Sequence, residues 1–313
     1  MIHITYIPSS KHILASGHIL FEIFTTFIFS MLLDIKPVWD DSWKKSLIIT
    51  EESIKNNTET KLSKYDHVIN INNFIKWESI TYQDFLNIKN LIEDSKKNYK
   101  NILITLSNVC VIHPDILCNW YNLKYISDDI YTLQAKPMLE KLYYYDHNNT
   151  PINTLAIHIR RGDIVQQCYD YGLTLDYYKN IINIINEHLN IQIHIYYEDG
   201  FAARNNAHDK NVINFNYDDI LILGTLENVT LIKGKGTGPD FHKQFNELCR
   251  NKIVIMSPSS FSLWVGFITS GIVLVDKKCI NCRPNLFRHS ENIPNFIVFE
   301  NFIDIIETLK KII

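Results

Sequence analysis

Short apolar stretches that alternate with longer amphipathic stretches are the feature that most constrains how this chain folds. Residues 102–106 are apolar apart from one threonine, as in a buried strand, and the preceding residues 82–99 place Phe85, Ile88 and Ile92 on one helical face. Apolar strands that alternate with helices are typical of parallel sheets covered by helices on both faces. The sequence therefore predicts an α/β fold.

The predicted elements form two groups on either side of a polar run, DHNNTP, at residues 146–151. In the first group we predict strands at 2–7, 47–50, 67–71 and 102–106 and helices at 17–33, 82–99 and 129–145. In the second group we predict strands at 155–159, 191–197, 212–215, 229–232, 253–256, 272–275 and 296–299 and helices at 175–189, 240–251, 260–269 and 302–312. A length of 313 residues suits two lobes, an N-terminal lobe over 1–150 and a C-terminal lobe over 151–313. The last helix, 302–312, is a candidate to pack back on the N-terminal lobe.

Composition and charge exclude several classes of protein. A hydrophobic content of 46% and a charged content of 21% exclude a disordered chain, and a net charge of −3 argues against a nucleic-acid partner. The most apolar stretch, residues 13–35, contains His18, Glu22 and Asp34, so it predicts a buried helix and no stable membrane span. Six scattered cysteines and an N-terminus without a basic segment predict a cytoplasmic protein with free thiols.

The strongest local signal for a functional site is the run His158-Ile159-Arg160-Arg161-Gly162-Asp163, at the carboxyl end of an apolar strand. Ligands of open α/β sheets bind at this edge. Arginine offers a planar, permanently charged group to phosphate oxygens, and Asp163 is placed to hold one of the two arginines. Read alone, the run fits both a diphosphate site and an ordinary Arg–Asp surface pair.

A second signal is the segment 256–264 (MSPSSFSLW), between a buried strand and an apolar helix. Serines at the start of a helix cap its free N–H groups, and this end of a helix attracts anions. Ser259 and Ser260 are therefore candidate phosphate ligands, although plain N-capping is the simpler explanation when the segment is read alone. Phe261 and Trp264 also suit a core role, since they are neighbours on one helical face.

The remaining signals are weaker. The glycine-rich loop 233–239 lacks the dinucleotide and phosphate-loop patterns and is typical of a turn. Glu198 and Asp199 lie at the end of another predicted strand, at the same sheet edge. They suit either a hydrogen-bond network with the arginines or a turn. Asp40 lies near Trp39 and Trp43 in the sequence, which suits either an acidic cleft that stacks a sugar or a solvated turn. No D-x-D triad occurs in a strand context, so the sequence predicts no metal site.

Taken together, the first two signals resemble the α-1,2-fucosyltransferase family and its α-1,6 and protein O-fucosyltransferase relatives. The matching blocks are residues 156–164 (AIHIRRGDI) and 253–267 (IVIMSPSSFSLWVGF), which occur in the expected order at predicted strand ends. The resemblance implies two Rossmann-like lobes that face each other across a cleft, the GT-B arrangement. It also implies metal-independent transfer of fucose from GDP-fucose, with inversion, to a hydroxyl of an oligosaccharide or glycan acceptor.

The resemblance also implies roles for individual residues. Arg160 matches the arginine that contacts the donor diphosphate, and His158 and Asp163 match the other positions of that catalytic motif. Several further residues match positions at the donor, namely Arg161, Ser259, Ser260, Phe261, Gly17 and Asp240. Gly17 opens a loop in which Ile19 and Glu22 stand where the family usually has Asn and Gln. An ungapped alignment puts Gln244, one helical turn after Asp240, at the family's acidic position.

Three points stay open at this stage. The base that activates the acceptor hydroxyl is not identified, and Glu22, His18 and Asp40 are positional candidates only. A transferase of the same fold that uses another nucleotide sugar fits the motifs too, and so does a catalytically lapsed protein that binds a nucleotide or a glycan. The predicted setting is a bacterial cell, or the host cytoplasm if the protein is viral.

Overall fold

The computed structural model describes residues 1–6, 16–38, 63–76, 79–106, 152–159, 174–198, 218–234, 239–282 and 295–313. Within these ranges, the description includes the backbone but not the side chains of residues 16–24, 198, 218–219, 239–242, 260 and 282. The chain divides into two compact units, Met1–Ala135 and Lys136–Ile313. The boundary predicted at residue 150 lies outside the described residues.

The N-terminal unit contains a four-stranded sheet and two long helices. Its elements are β1 (Ile2–Tyr6), α1 (Ser16–Leu33), β2 (Lys36–Pro37), β3 (His67–Asn70), a 3₁₀ turn (Ile71–Asn73), α2 (Tyr82–Lys96) and β4 (Ile102–Leu106). The strand order is β2-β1-β4-β3, and each neighbouring pair is parallel. The central strand β4 is buried along its whole length, as its apolar sequence predicts.

The helices of this unit contact each other through aromatic side chains. Phe29 of α1 meets Phe85 of α2 edge to face, with ring centroids 5.9 Å apart. Thr81 and Asp84 form a capping box at the start of α2, in which each side chain accepts a hydrogen bond from the other residue's backbone N–H. The helix predicted within residues 13–35 is present as α1, and most of its side chains from Thr25 onward are buried. Among the described residues, no helix is long and apolar enough to cross a membrane.

The C-terminal unit contains a larger sheet with helices between its strands. Its elements are β5 (Ile152–Ile159), α3 (Leu175–His188), β6 (Gln192–Glu198), α4 (Asp218–Leu221) with a 3₁₀ turn (Ile222–Thr225), β7 (Val229–Gly234), α5 (Pro239–Cys249), β8 (Asn251–Ile255), α6 (Ser260–Ile268), β9 (Ile272–Asp276), α7 (Lys277–Cys282), β10 (Phe296–Phe299), a 3₁₀ turn (Phe302–Ile305) and α8 (Ile306–Ile312). These strands confirm the predicted α/β class. The strands predicted at 47–50 and 212–215 and the helix predicted at 129–145 lie outside the described residues.

The order of this sheet reverses direction at its centre. The six strands lie in the order β10-β9-β8-β5-β6-β7, and every neighbouring pair is parallel. From β5 the chain adds β6 and β7 on one side, and it then returns to add β8, β9 and β10 on the other side. The crevice between the carboxyl ends of β5 and β8 is therefore the topological switch point, where open α/β sheets bind ligands.

One face of the C-terminal sheet is covered by α3 and by the closing segment of the chain. Ile181, Ile182 and Ile185 of α3 belong to a buried cluster with Ile157 of β5 and Ile195 of β6. The 3₁₀ turn and α8 contribute Phe302, Ile305, Ile306 and Leu309 to the same cluster. The structure thus packs the predicted helix 302–312 on the sheet of its own unit.

Candidate functional site

A buried polar cluster occupies the switch point of the C-terminal sheet. His158, the penultimate residue of β5, is 6% exposed, and its Nδ1 lies 2.5 Å from the hydroxyl of Ser262 and 2.9 Å from that of Ser257. The two hydroxyls are 3.0 Å apart. Ser257 follows β8 and Ser262 lies in the first turn of α6, so the imidazole joins β5 to the β8–α6 connection. We call His158, Ser257, Ser259 and Ser262 the serine–histidine cluster.

The same cluster fixes the start of α6. Ser259 has extended backbone geometry, and its hydroxyl accepts a hydrogen bond of 3.1 Å from the Ser262 N–H, so Ser259 is the N-cap of the helix. The hydroxyl of Ser262 in turn accepts a bond from the Ser257 N–H at 3.3 Å. The serines therefore hold one another, the helix start and His158 in a single arrangement inside the protein.

Aromatic rings flank the cluster on the side of α5 and α6. The ring of Phe261 lies 4.9 Å from the imidazole of His158, and Phe245 of α5 meets Phe261 edge to face at 5.6 Å. Trp264 is fully buried, so the core role, which is one of the two possibilities for this residue, is confirmed. Phe261 is partly buried and remains next to the imidazole, so it belongs to the neighbourhood of the cluster.

The end of β7 and the helix α5 meet closely at the same sheet edge. Gly234 is the last residue of β7, and a Cβ added there would come within 2.4 Å of the Gln244 amide nitrogen. Glycine at this position leaves room for the Gln244 side chain, whose amide donates to the Tyr197 carbonyl of β6 at 3.5 Å. Gln244, the family's acidic position in an ungapped alignment, is buried against the sheet.

A second polar group, which the sequence motifs do not predict, lies at the carboxyl end of β9. Asp276 is 2% exposed, and its carboxylate accepts hydrogen bonds of 2.7 Å from the Tyr177 hydroxyl of α3 and from the Lys278 N–H. The ammonium group of Lys278 lies over the Tyr177 ring, 5.3 Å from its centroid. Burial first, and then the Asp276 carboxylate, raise the pKa of the Tyr177 hydroxyl, so it stays protonated and donates.

The sequence contains a signal for some of these residues but not for all of them. Asp276 directly follows the apolar run IVLV of β9, so it is an acidic residue at the ligand edge of a buried strand, by the same logic that singles out Glu198 and Asp199. Ser257 and Ser262 belong to the second motif, in which only their neighbours Ser259 and Ser260 are singled out as candidate ligands. Tyr177 carries no such signal, because its partner is 99 residues away along the chain.

The structure brings together part of the predicted site. His158, Ser259 and Phe261 meet at the switch point. Ser260 begins α6, Asp240 lies in the first turn of α5, and Gly17, His18 and Glu22 lie in α1, with side chains outside the description. The other predicted residues, Arg160, Arg161, Asp163 and Asp40, lie outside the described residues, as does Asp199. Among the described residues, no group of three or more His, Cys, Asp and Glu side chains could hold a metal ion.

Comparisons with known proteins identify no family for the chain. No protein-family model matches the chain, and no curated protein matches it. Among solved structures, the chain is similar to a protein of Listeria monocytogenes described as a UDP-N-acetylglucosamine 2-epimerase. That similarity has 12% sequence identity and a TM-score of 0.35, and it covers 99% of this chain and 87% of the other. At such a score it assigns neither a family nor an activity to this chain.

Proposed function

We propose that the protein is an inverting, metal-independent glycosyltransferase that moves fucose from GDP-fucose to a glycan hydroxyl, with an α-1,2 linkage to a galactoside as the leading case. One observation carries the proposal. The two sequence blocks that resemble the fucosyltransferases are about a hundred residues apart in the chain, yet they meet at one place in the fold, where His158 contacts Ser257, Ser262 and Phe261. That place is the switch point, where α/β sheets bind ligands.

The chemistry of the proposal needs a partner for the departing diphosphate. When the acceptor oxygen attacks the anomeric carbon, the bond from that carbon to the GDP oxygen breaks and negative charge grows on the diphosphate. Arg160 follows β5 directly, and its guanidinium would stabilise that charge. The start of α6 at the same edge offers further N–H donors, with Arg161, Ser260 and Asp163 as assisting groups by resemblance.

His158 has a positioning role in this proposal. Its Nδ1 is held by two serine hydroxyls inside the protein, so the imidazole fixes the end of β5 to the start of α6. The strand end from which Arg160 departs is thereby set against the helix start that would meet the donor. By the same resemblance, the N-terminal unit would bind the acceptor glycan.

Two other functions compete with this proposal at the same site. A transferase of the same fold with another nucleotide sugar is favoured by the motifs, since arginine and serine recognise a diphosphate and not a particular sugar. A protein that binds nucleotide without transfer is favoured by Ile19 and Glu22, which depart from the family's opening loop.

A nucleotide screen followed by a turnover assay separates these functions. Ligands that bind the folded state raise its melting temperature, so we expect GDP to stabilise the protein while UDP and ADP do not. We then expect GDP release from GDP-fucose in the presence of a galactoside panel. Stabilisation by UDP or ADP alone would point to another donor, and tight GDP binding without turnover on any acceptor would point to a binding protein.

Substitution of Arg160 tests the centre of the proposed mechanism. We expect Arg160→Ala to lower kcat/KM for transfer by at least about a hundredfold, because the leaving diphosphate loses its charge-assisted partner. The melting temperature should change little. Arg160→Lys is the matched control. Its kcat/KM should lie between those of the wild type and Arg160→Ala, since lysine keeps the charge but not the planar guanidinium. Near-normal turnover in Arg160→Ala would refute this role.

A further inference from the structure

The hydrogen bond between Tyr177 and Asp276 joins parts of the C-terminal unit that are distant in sequence. Tyr177 lies in the first turn of α3, where Thr174 caps the helix by accepting a bond from the Tyr177 N–H at 3.2 Å. Its hydroxyl donates to Asp276 at the end of β9, two strands from β5 in the sheet. The start of α3 is therefore fastened to the sheet edge that holds the switch point.

Both oxygens of the Asp276 carboxylate have partners. Oδ2 accepts from Tyr177, and Oδ1 accepts from the Lys278 N–H at the beginning of α7. One buried carboxylate thus sets the relative positions of α3, β9 and α7. The Lys278 ammonium over the Tyr177 ring adds a contact that is independent of the phenol oxygen.

The connection from β5 to α3 is held at both of its ends. At the β5 end, His158 binds the serines on the α6 side of the sheet. At the α3 end, Tyr177 binds Asp276 on the face that α3 covers. The Tyr177–Asp276 bond therefore sets the position of the α3 start relative to β5 and β9. His158 sets the position of the β5 end in the same way.

We propose that Tyr177 and Asp276 are a positioning pair for the switch-point site, and that they hold the start of α3 in the place that donor binding requires. This inference rests on the proposed function and adds two residues to which no role has been given. The pair acts through the backbone of α3 and does not itself touch the donor.

The test compares Tyr177→Phe with the wild type in two measurements. Removal of the hydroxyl alone keeps the ring and its Lys278 contact. We expect the Kd for GDP, measured by calorimetry, to rise about tenfold, because part of the binding free energy must then be used to restore the position of the α3 start. We also expect the backbone amides at the end of the first turn of α3 to exchange their hydrogens faster in Tyr177→Phe than in the wild type, both with and without GDP.

Two further variants separate positioning from general stability. Tyr196→Phe is the control, since it also removes one tyrosine hydroxyl from the C-terminal unit. Tyr196 is more buried than Tyr177, and its hydroxyl accepts a bond from Asn251, on the opposite side of the sheet from α3. It should leave the Kd for GDP and the exchange in α3 unchanged. Asp276→Asn keeps the shape and can still bond to Tyr177, so it should bind GDP within about threefold of the wild type.

The outcomes distinguish this inference from the proposed function. If the wild type binds GDP and Tyr177→Phe binds equally well, the positioning pair is refuted and the proposed function stands. A loss of affinity that Tyr196→Phe shares also refutes it. If the wild type binds no nucleotide, the proposed function fails, and unchanged exchange in α3 of Tyr177→Phe refutes the fastening of the helix independently.

Discussion

His158 shows how a family motif and its physical setting can give a residue different roles. By resemblance it belongs with Arg160 and Asp163 in a catalytic motif. In the structure its imidazole is enclosed, with Nδ1 between the hydroxyls of Ser257 and Ser262. Buried polar groups that satisfy one another hold a single arrangement, and they are costly to disrupt because each lost partner leaves a desolvated group.

A stability measurement distinguishes the two roles of His158. We expect His158→Ala to lower the free energy of unfolding by about 2–4 kcal/mol, since it leaves a cavity and removes a partner from two buried hydroxyls. His158→Asn places an amide near the position of Nδ1 and should recover part of the loss. Denaturant unfolding followed by circular dichroism measures both changes. Unchanged stability in His158→Ala, combined with lost transfer, would instead place the imidazole on the substrate.

At the scale of the element, the end of α1 illustrates a helix stop that lacks the usual glycine. The Ile35 N–H donates to the Ser30 carbonyl at 2.8 Å and the Asp34 N–H to the Met31 carbonyl at 3.3 Å, which is the Schellman pattern. Asp34 occupies the left-handed position with φ of 57°. A side chain in that conformation is strained, and a carboxylate at a helix C-terminus opposes the helix dipole.

Replacement of Asp34 should therefore stabilise the N-terminal unit. We expect Asp34→Gly to raise the free energy of unfolding by about 0.5–1 kcal/mol, because glycine adopts the left-handed conformation without strain. Asp34→Asn removes the charge and keeps a side chain of the same size, so it reports chiefly the dipole contribution. Thermal and urea unfolding of the three proteins measure the difference. If Asp34→Gly were no more stable than Asp34→Asn, the strain would be negligible.

The local pattern of the sequence predicts most described elements, and packing accounts for a difference near the end of the chain. Strand β4 and strand β10 have the predicted bounds, because runs of apolar residues flanked by polar ones define both ends. The predicted helix 302–312 is instead a 3₁₀ turn, Phe302–Ile305, followed by α8. The tighter turn keeps Phe302 and Ile305 in the buried cluster, and that requirement comes from packing on the sheet.

At the scale of the whole molecule, the sequence predicts two α/β groups but not the order of their strands. Strand order depends on which strands pair, and β5 pairs with β8 across about a hundred residues. The switch point is therefore visible only in the fold. The same applies to the candidate site, because the motifs predict His158 and Ser259 separately, whereas their convergence and the Tyr177–Asp276 bond are products of tertiary structure.

Histidines in both units make the stability of the chain sensitive to acid. Burial is the main factor that lowers the pKa of His3 in β1 and of His194 in β6; Lys36 and the N-terminus lower that of His3 further, while Glu247 partly offsets the effect at His194. A histidine whose folded-state pKa is lowered binds its proton more readily when the chain is unfolded. Its contribution to stability is therefore complete above about pH 6.5 and is lost as the pH falls further.

This sign leads to a prediction for the whole chain. We expect the free energy of unfolding to be flat near pH 7.5 and to decrease between pH 6.5 and 5.5, and we expect His3→Gln and His194→Gln each to flatten part of that decrease. The two effects should add, since the residues belong to different units and share no partner among the described residues. Urea unfolding at several pH values, with each single variant and the double variant, measures the slopes. If the free energies of unfolding of the wild type and the double variant changed with pH in parallel, neither imidazole would take up a proton on unfolding in this range. The pH dependence of stability would then come from other groups.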